Sequence, residues 1–342
     1  MSHKVNSFII AEAKREKKGR EIPPLVARSA PHYFEKSVPS QFILNQQKTE
    51  IDGVVIDISI KTYHPDAIIV SGTFEVANIF KQNNLIELKN KLHEFCYDLA
   101  RKYGAKEELS EEYTIYQVSG YEGDPELFLS SHGNKIASLL KSEKAALDDK
   151  EIEYTLSYQL KYSKDDLVVI EWDGAFIFDP KGEVEETIEM MELANYQLLR
   201  YRILDASLDE QMQKTAKIIE TEPKKKTFFE QREFQEDFLR VIRTRAGAIA
   251  KFEALERDIK LIGEWYSARL YELISKKFRL IEWRRTIQDK LESLEDIYNI
   301  ATEKLGMSRT QRLEMVQIWG FFLLQIGWFA LIVLEFIQLI NK

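Results

Sequence analysis

An apolar run near the C-terminus constrains this chain more than any other feature of its sequence. Residues 316–334 read VQIWGFFLLQIGWFALIVL and contain no Lys, Arg, Asp or Glu. As an α-helix this run would rise about 28 Å, close to the thickness of the hydrocarbon core of a bilayer. A buried core helix is the alternative, but such helices rarely lack charged residues over this length. The run therefore predicts a single transmembrane helix, within an anchor that covers residues 313–340.

The charges on either side of this run predict its orientation in the membrane. Arg309 and Arg312 precede the run, whereas Lys342 is the only basic residue after it. Because basic residues favour the cytoplasmic side, we expect the N-terminal part of the chain in the cytoplasm. So few residues follow the run that it would leave the ribosome only after synthesis ends, which predicts a tail anchor. The N-terminus lacks the apolar core of a signal peptide, so we expect the domain to stay in the compartment where it is made. No transit peptide is evident either, which favours a single-pass protein of the cytoplasmic membrane.

Composition sets limits on the part of the chain outside the membrane. With 342 residues, 44% of them hydrophobic, the chain is long enough for about two domains with real cores. The net charge of -8 argues against sequence-specific nucleic-acid binding, which needs a concentrated positive surface. Cys96 is the only cysteine, which excludes an intrachain disulfide and a cysteine-rich zinc site. Its neighbours Leu92 and Leu99 predict that this thiol lies in the core.

The first 182 residues are predicted to form an α+β domain with a mixed or antiparallel sheet. Period-two alternation at 54–60, followed by the apolar run 67–76, predicts an antiparallel hairpin. From Asn84 the apolar period becomes that of a helix, which Gly104 would terminate. Asp173 and Gly174 separate two apolar runs, the two-residue signal of a type I′ hairpin. The pattern also predicts strands at 5–11, 113–118 and 152–162, and a helix from Asp124 and Pro125 to about Lys144.

Residues 183–308 are predicted to be helical, in three stretches at 183–219, 228–263 and 264–305. In the third stretch, apolar residues recur at alternating steps of four and three, the a/d repeat of a coiled coil or bundle face. The residues of this seam are Ile287, Leu291, Leu294, Tyr298, Ala301 and Leu305. The seam predicts a homo-oligomer. Gly306 is expected to end the repeat, and a short link at 308–312 would lead to the membrane.

The predicted membrane helix also carries a stripe of small and polar residues. Gln317, Gly320, Gly327, Glu335 and Gln338 fall within about 80° of one another on a helix surface. In lipid, close approach at glycines and hydrogen bonds between polar side chains associate helices. We therefore predict that Gly320, Gly327 and Glu335 contact a second copy of the chain. The alternative is that Glu335 and Gln338 lie among the headgroups and that the glycines have no partner.

A search for catalytic motifs finds none. The chain lacks G-x-x-x-x-G-K-[ST], G-x-G-x-x-G, H-E-x-x-H and G-x-S-x-G, so no catalytic, cofactor-binding or metal-binding residue is predicted. The five histidines share no ligand spacing, and His93 is expected at the boundary of an apolar helical face. Glu189 and Glu192 could pair with opposing basic residues. Two interpretations explain the basic residues Lys276, Lys277, Arg284 and Arg285. They lie on a solvated helical face, or they contact anionic lipid or RNA.

The arrangement of elements resembles the "required for meiotic nuclear division" family, whose function is unknown. The resemblance covers roughly residues 166–342 and rests on LVVIEWDGAFIFD, ELANYQLLRYRILD, IGEWYSARLYELI, WRRTIQDKLESL and LIVLEFIQLI. The family's eukaryotic members are oligomeric proteins of the mitochondrial inner membrane that support organellar translation. The resemblance therefore implies an oligomer, the ribosome as one partner, and the mitochondrial inner membrane as the alternative location. It implies no catalytic residues, because none is agreed for the family.

Two classes of function follow from the sequence. The first is a membrane-tethered scaffold that oligomerises through its helices and presents the α+β domain to a cytosolic protein or to the ribosome. The second is an enzyme or ligand sensor with a pocket in the α+β domain. An open polar cleft with convergent Asp, Glu or His side chains would favour the second class. A divalent-cation channel is a third interpretation, against which the single span counts.

Overall fold

The computed structural model describes residues 1–13, 19–23, 39–64, 66–106, 108–220 and 265–340, with four further helical positions at 243, 246, 247 and 250. The chain forms two compact units. The first comprises Met1–Leu204 and Thr244–Ile287, and the second comprises Asp205–Arg243 and Gln288–Lys342. The first unit holds the whole sheet and the first turns of the long helix that follows the sheet.

A nine-stranded sheet is the centre of the first unit. Its strands are β1 (Ser2–Glu12), β2 (Arg20–Ile22), β3 (Gln41–Ile51), β4 (Val54–Tyr63), β5 (Ala67–Val76), β6 (Ser110–Ser119), β7 (Gln159–Leu160), β8 (Leu167–Ile170) and β9 (Gly174–Phe178). The strands lie in the order β2-β3-β4-β5-β1-β6-β9-β8-β7. Neighbours are antiparallel except β6 and β9, which are parallel. The predicted mixed sheet and the predicted β4–β5 hairpin are thus confirmed.

The helices that the structure describes are α1 (Leu85–Lys102), α2 (Glu126–Leu140), α3 (Asp149–Leu156), α4 (Glu185–Glu220), α5 (Trp265–Lys277) and α6 (Leu280–Ile340). α1 forms as predicted, with Cys96 in the core and Gly104 beyond its end at a φ of 84°. At Gly72 of β5, a Cβ atom would lie 2.7 Å from the Leu92 side chain. Glycine therefore allows α1 to pack closely on the sheet.

Different helices cover the two faces of the sheet. Consecutive residues of a strand point to opposite faces. On β4, Ile60 belongs to the apolar core together with residues of α1 and α2, whereas Lys61 and Tyr63 bond to α4. On β6, Glu112 contacts α1 and Glu111 contacts α4. α1 and α2 thus lie on one face, and α4 lies on the other.

Two local predictions for the sheet are wrong. Residues 152–162 do not form one strand, because α3 ends at Leu156 and only the two-residue β7 follows. Asp148 caps α3 by accepting the backbone N–H of Lys150, and this local capping outweighs the alternation. The β8–β9 hairpin is confirmed, but its turn is not type I′, because φ is not positive at Asp173 or Gly174. Glycine is needed at 174 since a Cβ atom there would lie 2.4 Å from a β6 backbone carbonyl oxygen.

The later helices break at other places than predicted. Phe278 and Arg279 divide the predicted 264–305 helix, and Arg279 has a φ of 51°. The predicted helix end at residue 305 is wrong, because α6 continues through Gly306 and through the predicted link at 308–312 to Ile340. One glycine costs a helix only about 1 kcal/mol, which its neighbours can outweigh. The predicted helix at 228–263 lies almost entirely outside the described residues.

The predicted membrane run lies within α6. Leu313–Leu334 is a 22-residue helical segment with a mean hydropathy of 1.9, and it is long and apolar enough to cross a membrane. None of it is buried in the folded chain. Side chains as large as Trp328 and Phe329 are exposed.

Candidate functional site

The residues predicted to mediate oligomerisation lie in two different settings. Ile287 and Leu294 are buried within a single chain, and Leu291 is half-buried. Gly320 and Gly327 are open, since a Cβ atom at either position would meet nothing within 4 Å. The backbones of Tyr298 and Glu335 belong to α6, but their side chains lie outside the described part of the chain. The structure does not bring these residues together in one site.

A cluster of polar side chains lies under α1, where the sequence predicted none. Lys89 and His93 are four residues apart and therefore share the face of α1 that points to the sheet. They are 3% and 4% exposed. The strands opposite contribute Ser7 from β1 and Thr114 from β6, which are paired residues in the β1–β6 register. The sheet and α1 thus both contribute side chains to one buried polar cluster.

The His93 imidazole connects a hydroxyl to a carboxylate. Its Nε2 lies 2.6 Å from Ser7 Oγ, and its Nδ1 lies 3.0 Å from Glu112 Oε2. Ser7 Oγ also lies 2.6 Å from Thr114 Oγ1. The hydrogen bond from His93 keeps the pKa of the Glu112 carboxyl below its ordinary value. Serine, histidine and glutamate are thus joined in the order by which hydrolases activate a serine.

Burial limits what this Ser7–His93–Glu112 array can do. Ser7 is fully buried in the middle of β1, between β5 and β6, so its Oγ faces no solvent. Hydrolases instead place a nucleophilic serine on an exposed turn beside donors for the oxyanion. Only the Glu112 end of the array reaches solvent, with 46% of that side chain exposed. In this conformation the array fixes the position of α1 on the sheet.

Lys89 makes a second polar link next to the array. Its ammonium donates to the hydroxyl of Ser142, just after α2. Burial lowers the pKa of Lys89, although the nearby carboxylates of Glu112 and Asp173 oppose this. Ser142 has a φ of 54°, a conformation that glycine adopts without strain. The backbone of Ser142, whose hydroxyl accepts the Lys89 hydrogen bond, is therefore in a conformation that favours glycine.

Another polar network lies on the opposite face, under α4. The Glu192 carboxylate accepts hydrogen bonds from Lys61 Nζ at 2.6 Å and from Tyr63 Oη at 2.9 Å. Glu189 accepts one from the side-chain amide of Gln41. Burial, together with the charges of Glu192 and Glu189, raises the pKa of Tyr63 well above its ordinary value. The predicted pairing with a basic residue is confirmed for Glu192. The network attaches α4 to β3 and β4.

The expectation that His93 lies at the boundary of the helical face is wrong, because the residue is buried. A signal for the cluster was present in the sequence. Lys89 and His93 flank the apolar stripe of α1, and Ser7 interrupts an apolar strand. Buried polar side chains require partners, so these interruptions indicate that each of the three side chains has a partner, but they do not specify which one. Within the described ranges, no group of three His, Cys, Asp or Glu side chains is arranged to hold a metal ion.

Comparison with known proteins finds a family and a relative that cover much of the chain. A family model described as "Uncharacterized protein MJ0711, N-terminal domain" matches residues 7–186. The match begins within β1 and ends at the start of α4, so it contains the Ser7–His93–Glu112 array. Uncharacterized protein MJ0711 of Methanocaldococcus jannaschii is 29% identical over 275 residues, which cover 80% of each chain. No solved structure matches the chain.

Proposed function

Since the chain belongs to the family of the MJ0711 N-terminal domain, we propose that it is a single-pass membrane protein in which this domain acts as a scaffold or tether for a cytosolic protein. One observation carries the membrane attachment in this proposal. Every side chain of Leu313–Leu334 is exposed in the folded chain, although the segment is strongly apolar. Soluble proteins rarely expose apolar patches of this size, whereas a bilayer would cover the segment.

The proposed orientation places the sheet in the cytoplasm. Arg309 and Arg312 precede the apolar segment, which favours the cytoplasmic side for the N-terminal part. The partner is proposed as a protein, and the net charge of -8 supports a partner other than nucleic acid. A ribosomal protein is one proposal for that partner, and it rests only on the resemblance to the "required for meiotic nuclear division" family.

Self-association is proposed to occur through the membrane helix. Ile287 and Leu294 are covered within one chain, which reduces the seam available to a second copy. Gly320 and Gly327 remain open for close approach of another helix. Gly320→Ile together with Gly327→Ile should lower crosslinking between full-length copies in membranes. Phe322→Ile should leave it unchanged, and equal crosslinking of all three proteins would refute this interface.

Membrane attachment can be tested by alkaline carbonate extraction of membranes that contain the full chain. Leu323→Arg with Leu324→Arg places two charges near the centre of the span, each costing about 3 kcal/mol on insertion scales. We expect the parent in the pellet and this variant in the supernatant. Leu127→Arg with Ile281→Arg is the matched control, because both of these apolar residues are exposed in the first unit. Extraction of the parent, or retention of the span variant, would refute the proposal.

A second candidate function is hydrolysis by the Ser7–His93–Glu112 array. The atom order of the array favours it, while the burial of Ser7 requires that α1 move before a substrate binds. A fluorophosphonate probe discriminates between the two functions, because it labels activated serines covalently. Labelling that disappears in Ser7→Ala would establish the hydrolase. Absence of labelling at Ser7, with the protein folded and in the membrane, would exclude the hydrolase and favour the tether.

A further inference from the structure

A polar cleft lies between the start of α1 and the outer face of α2. Its volume is about 560 Å³, within the range of small-molecule sites. Asn83 and Glu87 line it from the α1 side, and His132 and Lys135 line it from α2. The cleft is separate from the Ser7–His93–Glu112 array and from the proposed membrane span. A ligand there would be a property beyond anchoring.

An irregularity in α2 places His132 at this cleft. The hydroxyls of Ser130 and Ser131 both donate to the carbonyl oxygen of Leu127, at 3.0 and 2.5 Å. In a regular helix this carbonyl accepts the backbone N–H of Ser131, and such competition bends helices. His132 then leaves helical geometry, with φ of -129° and ψ of 15°. Its ring stacks on Phe80 at a centroid distance of 4.4 Å, which fixes the imidazole plane.

The carboxylates that line the cleft already have partners within the chain. Glu87 accepts a hydrogen bond from Lys144 Nζ at 2.7 Å. Glu143 accepts the backbone N–H of Ala145 at 3.0 Å. Each carboxylate thus already has one donor within the chain, and the Lys144 ammonium offsets the charge of Glu87.

Three groups in the cleft that lack a partner among the described residues can donate hydrogen bonds. Within the part of the chain that the structure describes, neither the Lys135 ammonium, the His132 imidazole nor the Asn83 amide has a hydrogen-bond or ion-pair partner. The amide oxygen of Asn134 accepts from Ser138, which leaves the Asn134 amino group as a further donor. A cleft with free donors and occupied carboxylates suits a ligand rich in acceptors and negatively charged.

We infer that this cleft binds a small molecule through a phosphoryl group. A phosphoryl group offers three acceptor oxygens and a negative charge, which match the free donors of Lys135, His132 and Asn83 better than the two oxygens of a carboxylate. Lys135 supplies the charge, and the stacked His132 supplies a directed N–H. The rest of the 560 Å³ would hold the remainder of the ligand.

Inorganic phosphate is the probe for this inference. Full-length protein with isotope-labelled histidines is titrated at constant ionic strength, and the His132 imidazole signal is identified by its loss in His132→Phe. We expect that signal to move saturably with phosphate. Lys135→Met should weaken binding by about tenfold or more, because it removes a charged hydrogen bond. Lys150→Met, an exposed lysine on α3, is the matched control and should bind as the parent does.

Three outcomes would overturn the inference. The first is no saturable change of the His132 signal with phosphate. The second is equal or tighter binding of acetate, or the same change with chloride. The third is undiminished phosphate binding in Lys135→Met, or, if that variant does not fold, in Asn83→Ala. Membrane attachment does not enter any of these readouts, so they do not depend on the proposed tether.

Discussion

The two faces of the sheet hold their helices by different interactions. On the face under α1 and α2, the contacts are mainly between apolar side chains, such as Leu92 and Ile60, which are both fully buried. On the face under α4, apolar residues such as Met191 and Leu198 are buried as well, but three ion pairs also join this helix to the sheet and its turns. The pairs are Lys61–Glu192, Arg200–Asp66 and Arg202–Glu111.

This difference predicts how each face responds to mutation. Truncating a buried apolar side chain lowers the free energy of unfolding roughly in proportion to the volume removed. Removing one partner of a buried ion pair lowers it more, since the other charge then stays buried alone. Replacing both partners by apolar residues often costs little. The face under α4 should therefore be sensitive to single replacements and tolerant of paired ones, whereas the face under α1 should show no such recovery.

The largest effect is expected at Glu192. Glu192→Ala leaves Lys61 Nζ and Tyr63 Oη without their carboxylate and should reduce the free energy of unfolding of the sheet unit by about 3–5 kcal/mol. Lys61→Met combined with Glu192→Met should recover most of this loss. Denaturant unfolding of the full chain in detergent measures both. Glu185→Ala, an exposed residue of α4, is the control, and a double variant as unstable as Glu192→Ala would contradict the comparison.

On the other face, Leu92→Ala should cost about 3 kcal/mol in the same measurement. Leu92 is fully buried and lies against Gly72, so the cavity left behind cannot easily close. Leu127→Ala removes the same atoms from an exposed position of α2 and should change stability by less than about 0.5 kcal/mol. A loss of less than about 1 kcal/mol at Leu92 would mean that α1 repacks.

A smaller effect should appear in the pH dependence of Glu111 and Glu112, neighbours that face opposite sides of the sheet. Burial raises the pKa of Glu111 above its ordinary value of 4.5, although the Arg202 charge opposes it. The His93 hydrogen bond lowers the pKa of Glu112 below 4.5. At pH values just above 4.5, the folded state therefore binds a proton at Glu111 more tightly than the unfolded state does. The contribution of Glu111 to stability then grows as the pH falls. Below pH 4.5 the unfolded state binds the Glu112 proton more tightly, and stability is lost as pH falls through the lowered pKa.

Carboxyl NMR titration of the two glutamates measures this difference directly. Glu112 should titrate below Glu111. His93→Leu should raise the pKa of Glu112 and leave that of Glu111 nearly unchanged, because His93 lies on the face under α1. Arg202→Met should raise the pKa of Glu111 further, since it removes the charge that favours the carboxylate. Identical titration of the two groups would show that the faces do not differ at this position.

Elements defined by a local pattern could be predicted from the sequence, and those defined by distant contacts could not. The β4–β5 hairpin and α1 follow from periodicity within a few residues. The break before α6 coincides with Phe278, whose ring packs at 5.6 Å from that of Tyr113, a contact across more than a hundred residues. The polar cluster under α1 likewise depends on contacts between residues that are distant in the sequence. Ser7 and Thr114 meet only through the register of β1 and β6, which no local pattern specifies.

The smallest effect is expected at Ser142, where backbone strain and a buried hydrogen bond oppose each other. Ser142→Gly relieves a left-handed residue by about 1 kcal/mol but removes the hydroxyl that Lys89 uses, a charged hydrogen bond of about 1.5–3 kcal/mol. The net loss should therefore be about 1 kcal/mol. Ser142→Ala loses the same hydrogen bond and keeps the strain, so it should be less stable than Ser142→Gly by about 1 kcal/mol. Equal stability of the two variants would show that the backbone at 142 is unstrained. If neither variant differs from the parent, then Lys89 reaches solvent, and the face under α1 has no buried charge that needs a partner.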